Sequence, residues 1–147
     1  MTPAAAPATL LAFDYGTRRT GVAVGNTLLR QAQPLATLAA EGDAVFAQAA
    51  PLIREWQPAA LVVGIPLHPD GEPHDNTRRA ERFARRLAGR FGLPVHRVDE
   101  RYSTTEALAA GVRGDAADAA AAAILLEQFF REQTLRPPTA QDTDAAA

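Results

Sequence analysis

Apolar residues along the chain fall into short continuous runs and helically spaced stripes, separated by polar turns. Residues 9 to 14, TLLAFD, read as a buried central strand, and 20 to 25, TGVAVG, as its hairpin partner, with Gly16 giving the intervening turn its freedom. A third strand is expected between Leu29 and Leu38, at an edge or with an irregular start, because Pro34 has no N–H to give to a ladder. From Glu41 to Gln57, the residues Val45, Phe46, Ala49, Leu52, Ile53 and Trp56 recur at helical spacing, and Pro51 predicts a kink or a division into two pieces. AALVVGIP, residues 59 to 66, is a continuous apolar run suited to burial on both faces of a sheet. The polar loop LHPDGEPHDN follows, with turn chemistry at Asp70 and Gly71.

The second half repeats this alternation. Asn76 or Thr77 is a candidate cap for a helix to Phe91, whose apolar face is Ala80, Phe83, Ala84, Leu87 and Phe91. At ~100° per residue, Arg78, Arg79, Arg82, Arg85, Arg86 and Arg90 share one sector of less than half its circumference. A solvated face is the plain explanation, but six like charges repel one another and a polyanion relieves that. LPVHRVDE, 93 to 100, predicts a strand carrying Asp99 and Glu100 at its end. Ser103 or Thr104 can cap a short helix over Glu106 to Ala110, and Asp115 can cap a last helix over Ala116 to Glu132. Three meandering strands, then helix, strand, helix, strand, helix predict an α/β fold: a mixed five-stranded sheet with helices on both faces.

Composition narrows the chemistry. The chain has 147 residues, 47% of them hydrophobic, which suits one domain with a substantial core. Residues 1–8 read as a flexible arm, 9–133 as the domain and 134–147 as a disordered tail. Zero cysteines exclude disulfides and thiolate chemistry and fit a cytoplasmic setting. The start lacks a basic, apolar leader, and no window approaches a membrane span. A net charge of −2 gives no overall pull toward nucleic acid, yet all 15 basic residues are Arg, the side chain that grips phosphate bidentately.

Three acids sit where folding alone gains nothing from a carboxylate. Asp14 ends the first strand, Glu100 ends the last, and Asp118 lies on the apolar stripe of the final helix with Ala121, Ala122, Leu125 and Phe129. Carboxyl ends of parallel strands share one edge, so Asp14 and Glu100 meet there if their strands are neighbours. Clustered carboxylates repel unless a cation joins them, and hard divalent ions prefer oxygen ligands. The economical reading is a Mg²⁺ or Mn²⁺ site, and two such ions about 4 Å apart serve phosphodiester hydrolysis. His68 and His74 lie in the loop over this site and are weak candidates for assisting water activation, whereas His96 alternates within a strand and reads as structural.

The stretches FDYGTRRTGVAVG, LVVGIPLHPDGEPHDNT, VDERYSTTEA and DAAAAAILLEQFF, in this order and spacing, resemble the YqgF/RuvX family of bacterial ribonuclease H-like proteins. The resemblance implies a ribonuclease H-like fold related to Holliday junction resolvases and a nuclease that matures the 5′ end of pre-16S rRNA. By motif, Asp14, Glu100 and Asp118 carry over as the acids, Gly16, Thr17 and Arg18 as the turn beside the first, and Arg101, Ser103 and Thr104 as neighbours of Glu100. The segment GVRGDAAD before Asp118 departs from the family pattern, being short and offering Arg113 in place of lysines.

The leading expectation is therefore a metal-dependent nuclease whose phosphate grip comes from Thr17, Arg18, Arg78, Arg82, Arg85, Arg101, Ser103 and Thr104. Structured RNA and branched DNA compete as substrates, and symmetric cutting of a junction implies a homodimer. Two other readings differ in class. The D-x-G-T turn also resembles the phosphate loop of sugar kinases and actin-like ATPases, but those need a second such domain that 147 residues cannot hold. A catalytically silent nucleic-acid binder is the third, and the three acids argue against it.

Overall fold

The computed structural model describes residues 7–66, 75–99 and 115–135. Strands β1 (Thr9–Asp14), β2 (Arg19–Asn26) and β3 (Ala32–Ala39) precede helix α1 (Ala44–Trp56), followed by β4 (Ala60–Ile65), α2 (Asp75–Phe91), β5 (Val95–Asp99) and α3 (Asp115–Leu135). The five strands form one sheet in the order β3-β2-β1-β4-β5. The first three meander antiparallel, and β4 and β5 add on in parallel to β1. This is the mixed sheet that the alternation of runs and stripes predicts, and Pro34 lies on edge strand β3 as its missing N–H requires.

Alternation along the strands divides the core in two. Leu11, Phe13, Val22, Leu61 and Val63 pack with Val45, Phe46 and Ala49 of α1 and with Ala80, Phe83, Ala84 and Leu87 of α2. Leu10, Ala12, Val62 and Val98 face the other way, onto Leu125, Leu126, Phe129 and Phe130 of α3. Helices thus cover both faces, as the fully buried pattern of β4 demands. None of the helices among the described residues is long and apolar enough to cross a membrane.

The helices differ from expectation at two points. Pro51 does not divide α1, which runs unbroken through it and ends with Gln57 in the left-handed conformation, its N–H donating to the Ile53 carbonyl. Trp56, at the end of the predicted stripe, is 36% exposed. Nor does Thr77 cap α2, which begins at Asp75; Thr77 is buried inside the helix and its hydroxyl donates to the Pro66 carbonyl at the end of β4.

Candidate functional site

Strands β1, β4 and β5 run parallel, so their C-terminal ends share one edge of the sheet. Asp14 closes β1 and, by the same alternation that turns Leu10 and Ala12 toward α3, lies on the α3 face. It is only partly buried. The condition that would have made Asp14 and Glu100 direct neighbours is not met: β4 separates β1 from β5, placing their axes about 10 Å apart at ~4.8 Å per strand. The two still end on one edge, since Phe13 pairs with Val63 and Asp99 with Ile65, a stagger of two residues along β4. Glu100 itself lies outside the described residues, as do Arg101, Ser103, Thr104, Arg113, His68, His74 and the predicted short helix over 106–110.

The third acid is brought in from the far end of the chain by a glycine. In the β1–β2 ladder Asp14 is paired with Gly21. The α3 backbone rests directly on that glycine: a Cβ at position 21 would overlap the Asp118 carbonyl and stand 2.8 Å from the Ala119 amide nitrogen. Asp118 is therefore seated on the residue beside Asp14, on the face toward which Asp14 is directed. Its carboxylate meets the Arg19 guanidinium, with Nε 3.1 Å from Oδ2, in a pair whose side chains are 49% and 27% exposed. Arg19 and Gly21 were not among the residues singled out from the sequence. A glycine inside a strand is itself a sign of close backbone approach, so Gly21 was findable; Arg19 was not, because nothing local points it at a residue ninety-nine positions away.

The turn between β1 and β2 is built differently from its expected form. Gly16 is not in the left-handed region; it is required because a Cβ would collide with the Arg19 carbonyl. Buried Thr20 adds a long hydroxyl hydrogen bond, 3.5 Å, to the Gly16 carbonyl. Thr17 and Arg18 are exposed on this turn, and the Arg18 carbonyl accepts from the Ala40 N–H at 3.1 Å. His96, partly buried on the α3 side, packs its ring 5.0 Å from that of Phe129, in keeping with a structural role.

The arginine face of α2 is not uniform. Arg86 hydrogen bonds Asp43 at 2.7 Å, Arg90 approaches the same carboxylate at 3.7 Å, and both guanidinium groups lie over the Phe46 ring, 4.9 and 4.5 Å from its centroid. The Arg86 hydrogen bond holds the Asp43 carboxyl below its ordinary value, and Asp43 in turn raises Arg86. These two arginines fasten α2 to α1. Arg78, Arg82 and Arg85 remain exposed, Arg78 with an i,i+3 contact of 3.2 Å to Asp75. Among the described residues no three acidic or histidine side chains group closely enough to hold a metal; with Glu100 outside them, two of the three predicted acids are in view.

Three antiparallel strands followed by two parallel ones, with helices on both faces, make a ribonuclease H-like fold. The fold matches that of Thermus thermophilus RuvC solved with a Holliday junction substrate, at TM-score 0.55 and 18% identity over 86% of this chain and 96% of that one. It also matches a second structure of RuvC from the same organism at TM-score 0.53 and 16% identity, again over 86% and 96% of the two chains. The chain belongs to the RuvX family, described as Holliday junction resolvase, whose profile matches residues 8–132. A relative in Albidiferax ferrireducens is 65% identical over 84% of this chain and 78% of its own, and one in a Polaromonas species is 64% identical over 84% and 88%. Both carry the name "Putative pre-16S rRNA nuclease". The protein is accordingly a hydrolase of the nuclease class, acting on phosphodiester bonds.

Proposed function

We propose that this chain is a divalent-cation-dependent nuclease that trims the 5′ end of pre-16S rRNA in the cytoplasm, with Asp14, Glu100 and Asp118 as its metal-holding carboxylates. The observation that carries this reading is the seating of Asp118 on Gly21, the residue paired with Asp14. Two acids 104 positions apart share one spot on the sheet edge, and Glu100 follows directly in sequence on Asp99, the last residue of β5.

The donor set fits a hard cation. Its members among the described residues are the carboxylates of Asp14 on β1 and Asp118 on α3, the second of them met by the positive charge of Arg19. Mg²⁺ or Mn²⁺ bound there supplies Lewis-acid assistance to water attack on phosphorus and to departure of the leaving oxygen. The chain's own residues do the remainder. Asp14 and Asp118 are placed by β1 and α3, and a cation bound there would share the Asp118 carboxylate with Arg19. Thr17 and Arg18 on the turn, with Arg101, Ser103 and Thr104 next to Glu100, would position the phosphate, and Arg78, Arg82 and Arg85 would hold the backbone beyond it.

The family description favours a second substrate, a four-way DNA junction, whose paired cuts would require a homodimer with two sites. Both substrates enter one test: a pre-16S rRNA 5′ precursor fragment and a four-way junction, each with Mg²⁺ or Mn²⁺, incubated with wild type and with Asp14→Asn. Metal-dependent cleavage of the RNA, lost in Asp14→Asn, is expected. Cleavage unchanged in the variant removes Asp14 from the metal site, and junction cleavage without RNA cleavage replaces the substrate.

A further inference from the structure

The residue after Asp14 turns to the opposite face of the sheet. Tyr15, partly exposed, stacks on Phe83 with ring centroids 4.6 Å apart and an interplanar angle of 25°. Phe83 is held in turn by Phe13 and Phe46, at 5.9 and 5.6 Å. This rigid aromatic stack floors a groove of about 420 Å³ between the start of α1 and the first half of α2, walled by Thr17, Arg79, Arg82 and Arg86. A second hollow of about 290 Å³ shares Tyr15, Thr17 and Arg79 and extends to Pro66 and Asn76. The two hollows adjoin at these shared residues and make up a channel beside the end of β1, on the face of the sheet opposite to Asp14.

Charge in this channel is already partly assigned. Asp43 on its rim is matched by Arg86 and Arg90, whereas Glu41 on the α1 side makes no salt bridge among the described residues. Arg79 touches the amide oxygen of Asn76 at 3.2 Å, and Arg82 makes no salt bridge among the described residues. Arg79 and Arg82 are three residues apart, about 4.5 Å along the helix axis, and both line the groove over the Tyr15 ring. An aromatic floor with two cations on one wall suits a strand whose base stacks while its phosphates are gripped, since every base has a π-face. A duplex has its bases turned inward and no face to offer Tyr15.

Resting on the nuclease reading of the Asp14 edge, we infer that this channel binds a single-stranded segment of the substrate strand next to the scissile bond, with one base on Tyr15 and successive phosphates at Arg79 and Arg82. The enzyme would then cut where its substrate is unpaired on at least one side.

The test uses the full chain carrying Asp14→Asn, with EDTA present, and fluorescence anisotropy of a labelled single-stranded 12-residue RNA and of a blunt duplex of the same sequence. Single strand should bind at least about tenfold more tightly than duplex. In that background Arg79→Gln with Arg82→Gln should weaken single-strand binding by about tenfold or more and flatten the slope of log K against log salt by about 1.4, which is two phosphate contacts on a single strand. Tyr15→Leu should weaken binding about five- to a hundredfold with the slope unchanged, and Tyr15→Phe should bind as the parent does. Arg54→Gln with Arg131→Gln, which removes equal charge elsewhere, should have no effect. Equal affinity for duplex, or an Arg79/Arg82 variant that binds like its parent, overturns the inference. Cleavage of the same RNA by wild type with Mn²⁺ keeps the two readings apart. Groove-dependent binding without cleavage removes the metal-site reading of the Asp14 edge and leaves the channel, whereas cleavage with groove-independent binding keeps that reading and removes the channel.

Discussion

Gly21 and Asp118 are in backbone contact across ninety-seven residues of chain, with no room at Gly21 for a side chain. Because Gly21 is also the ladder partner of Asp14, the spacing of the two carboxylates depends on that missing Cβ. Gly21→Ala must push the start of α3 outward, since the obstructing atoms are backbone and cannot rotate away. Overpacking of this kind costs about 1–3 kcal/mol. We expect a lower denaturation midpoint and, at a temperature where the variant is fully folded, nuclease activity reduced well beyond the folded fraction. A variant with wild-type activity would show that the Asp14–Asp118 spacing is not what the site depends on.

Arg19 and Asp118 make a second, separable prediction. Their ion pair is too exposed to stabilise the fold by more than about 1 kcal/mol, so Arg19→Gln should leave the denaturation midpoint nearly unchanged. Its effect should fall on cation binding, because a positive charge against a ligating carboxylate opposes a second positive charge there. Mn²⁺ titrated into the variant and followed by electron paramagnetic resonance should bind roughly three- to tenfold more tightly than to wild type, the scale of about 1 kcal/mol. Weaker Mn²⁺ binding would mean that Arg19 holds Asp118 in its ligating position.

Local pattern carried most of the architecture. The period-2 and continuous runs place β1 and β4 within a residue or two because burial on both faces leaves few polar positions to confuse the reading. Pro34 located an edge from the chemistry of one missing donor. What the pattern could not supply was lateral order: that β4 enters between β1 and β5 depends on tertiary packing, and no residue of β5 records it. The site divides along the same line. Asp14 and Asp118 were legible as carboxylates in apolar surroundings, while the Gly21 seat and the Arg19 pair are contacts between elements distant in sequence. The six arginines of α2 read as one face, and only the neighbouring helix, through Asp43 and Phe46, separates Arg86 and Arg90 from the rest.

Thr77 ties the beginning of α2 to the end of β4 through its hydroxyl and the Pro66 carbonyl. Pro66 lines the channel with Asn76 and Arg79. Thr77→Val keeps the shape of the side chain and deletes the donor, leaving a buried hydroxyl site filled by a methyl group. The expected loss is about 1 kcal/mol, the usual net value of such a bond, read as a shift in the denaturant midpoint without change in slope. Thr77→Ser, which keeps the donor, should recover a larger part of that loss than its smaller volume alone would allow. Equal losses in both variants would assign the residue to packing.

Asp43 and Arg86 give the fold a pH dependence of defined sign. The carboxyl is held below its ordinary value of 3.8, chiefly by the Arg86 hydrogen bond, which together with the charges of Arg86, Arg90 and Arg82 outweighs the opposing effect of burial. A carboxyl lowered in the folded state contributes stability at pH values above its unfolded value, and that contribution disappears as pH falls through the folded one. Asp43→Asn should therefore be less stable than wild type by a constant margin from about pH 5 upward, and the margin should close as pH drops below about 4. The same scan with Arg86→Gln should show a shallower acid limb, because the carboxyl then titrates nearer its ordinary value. Thermal midpoints of the three proteins between about pH 2.5 and 7 settle it: parallel curves for wild type and Asp43→Asn over that whole range would mean that Asp43 contributes through shape and not through its charge on Arg86.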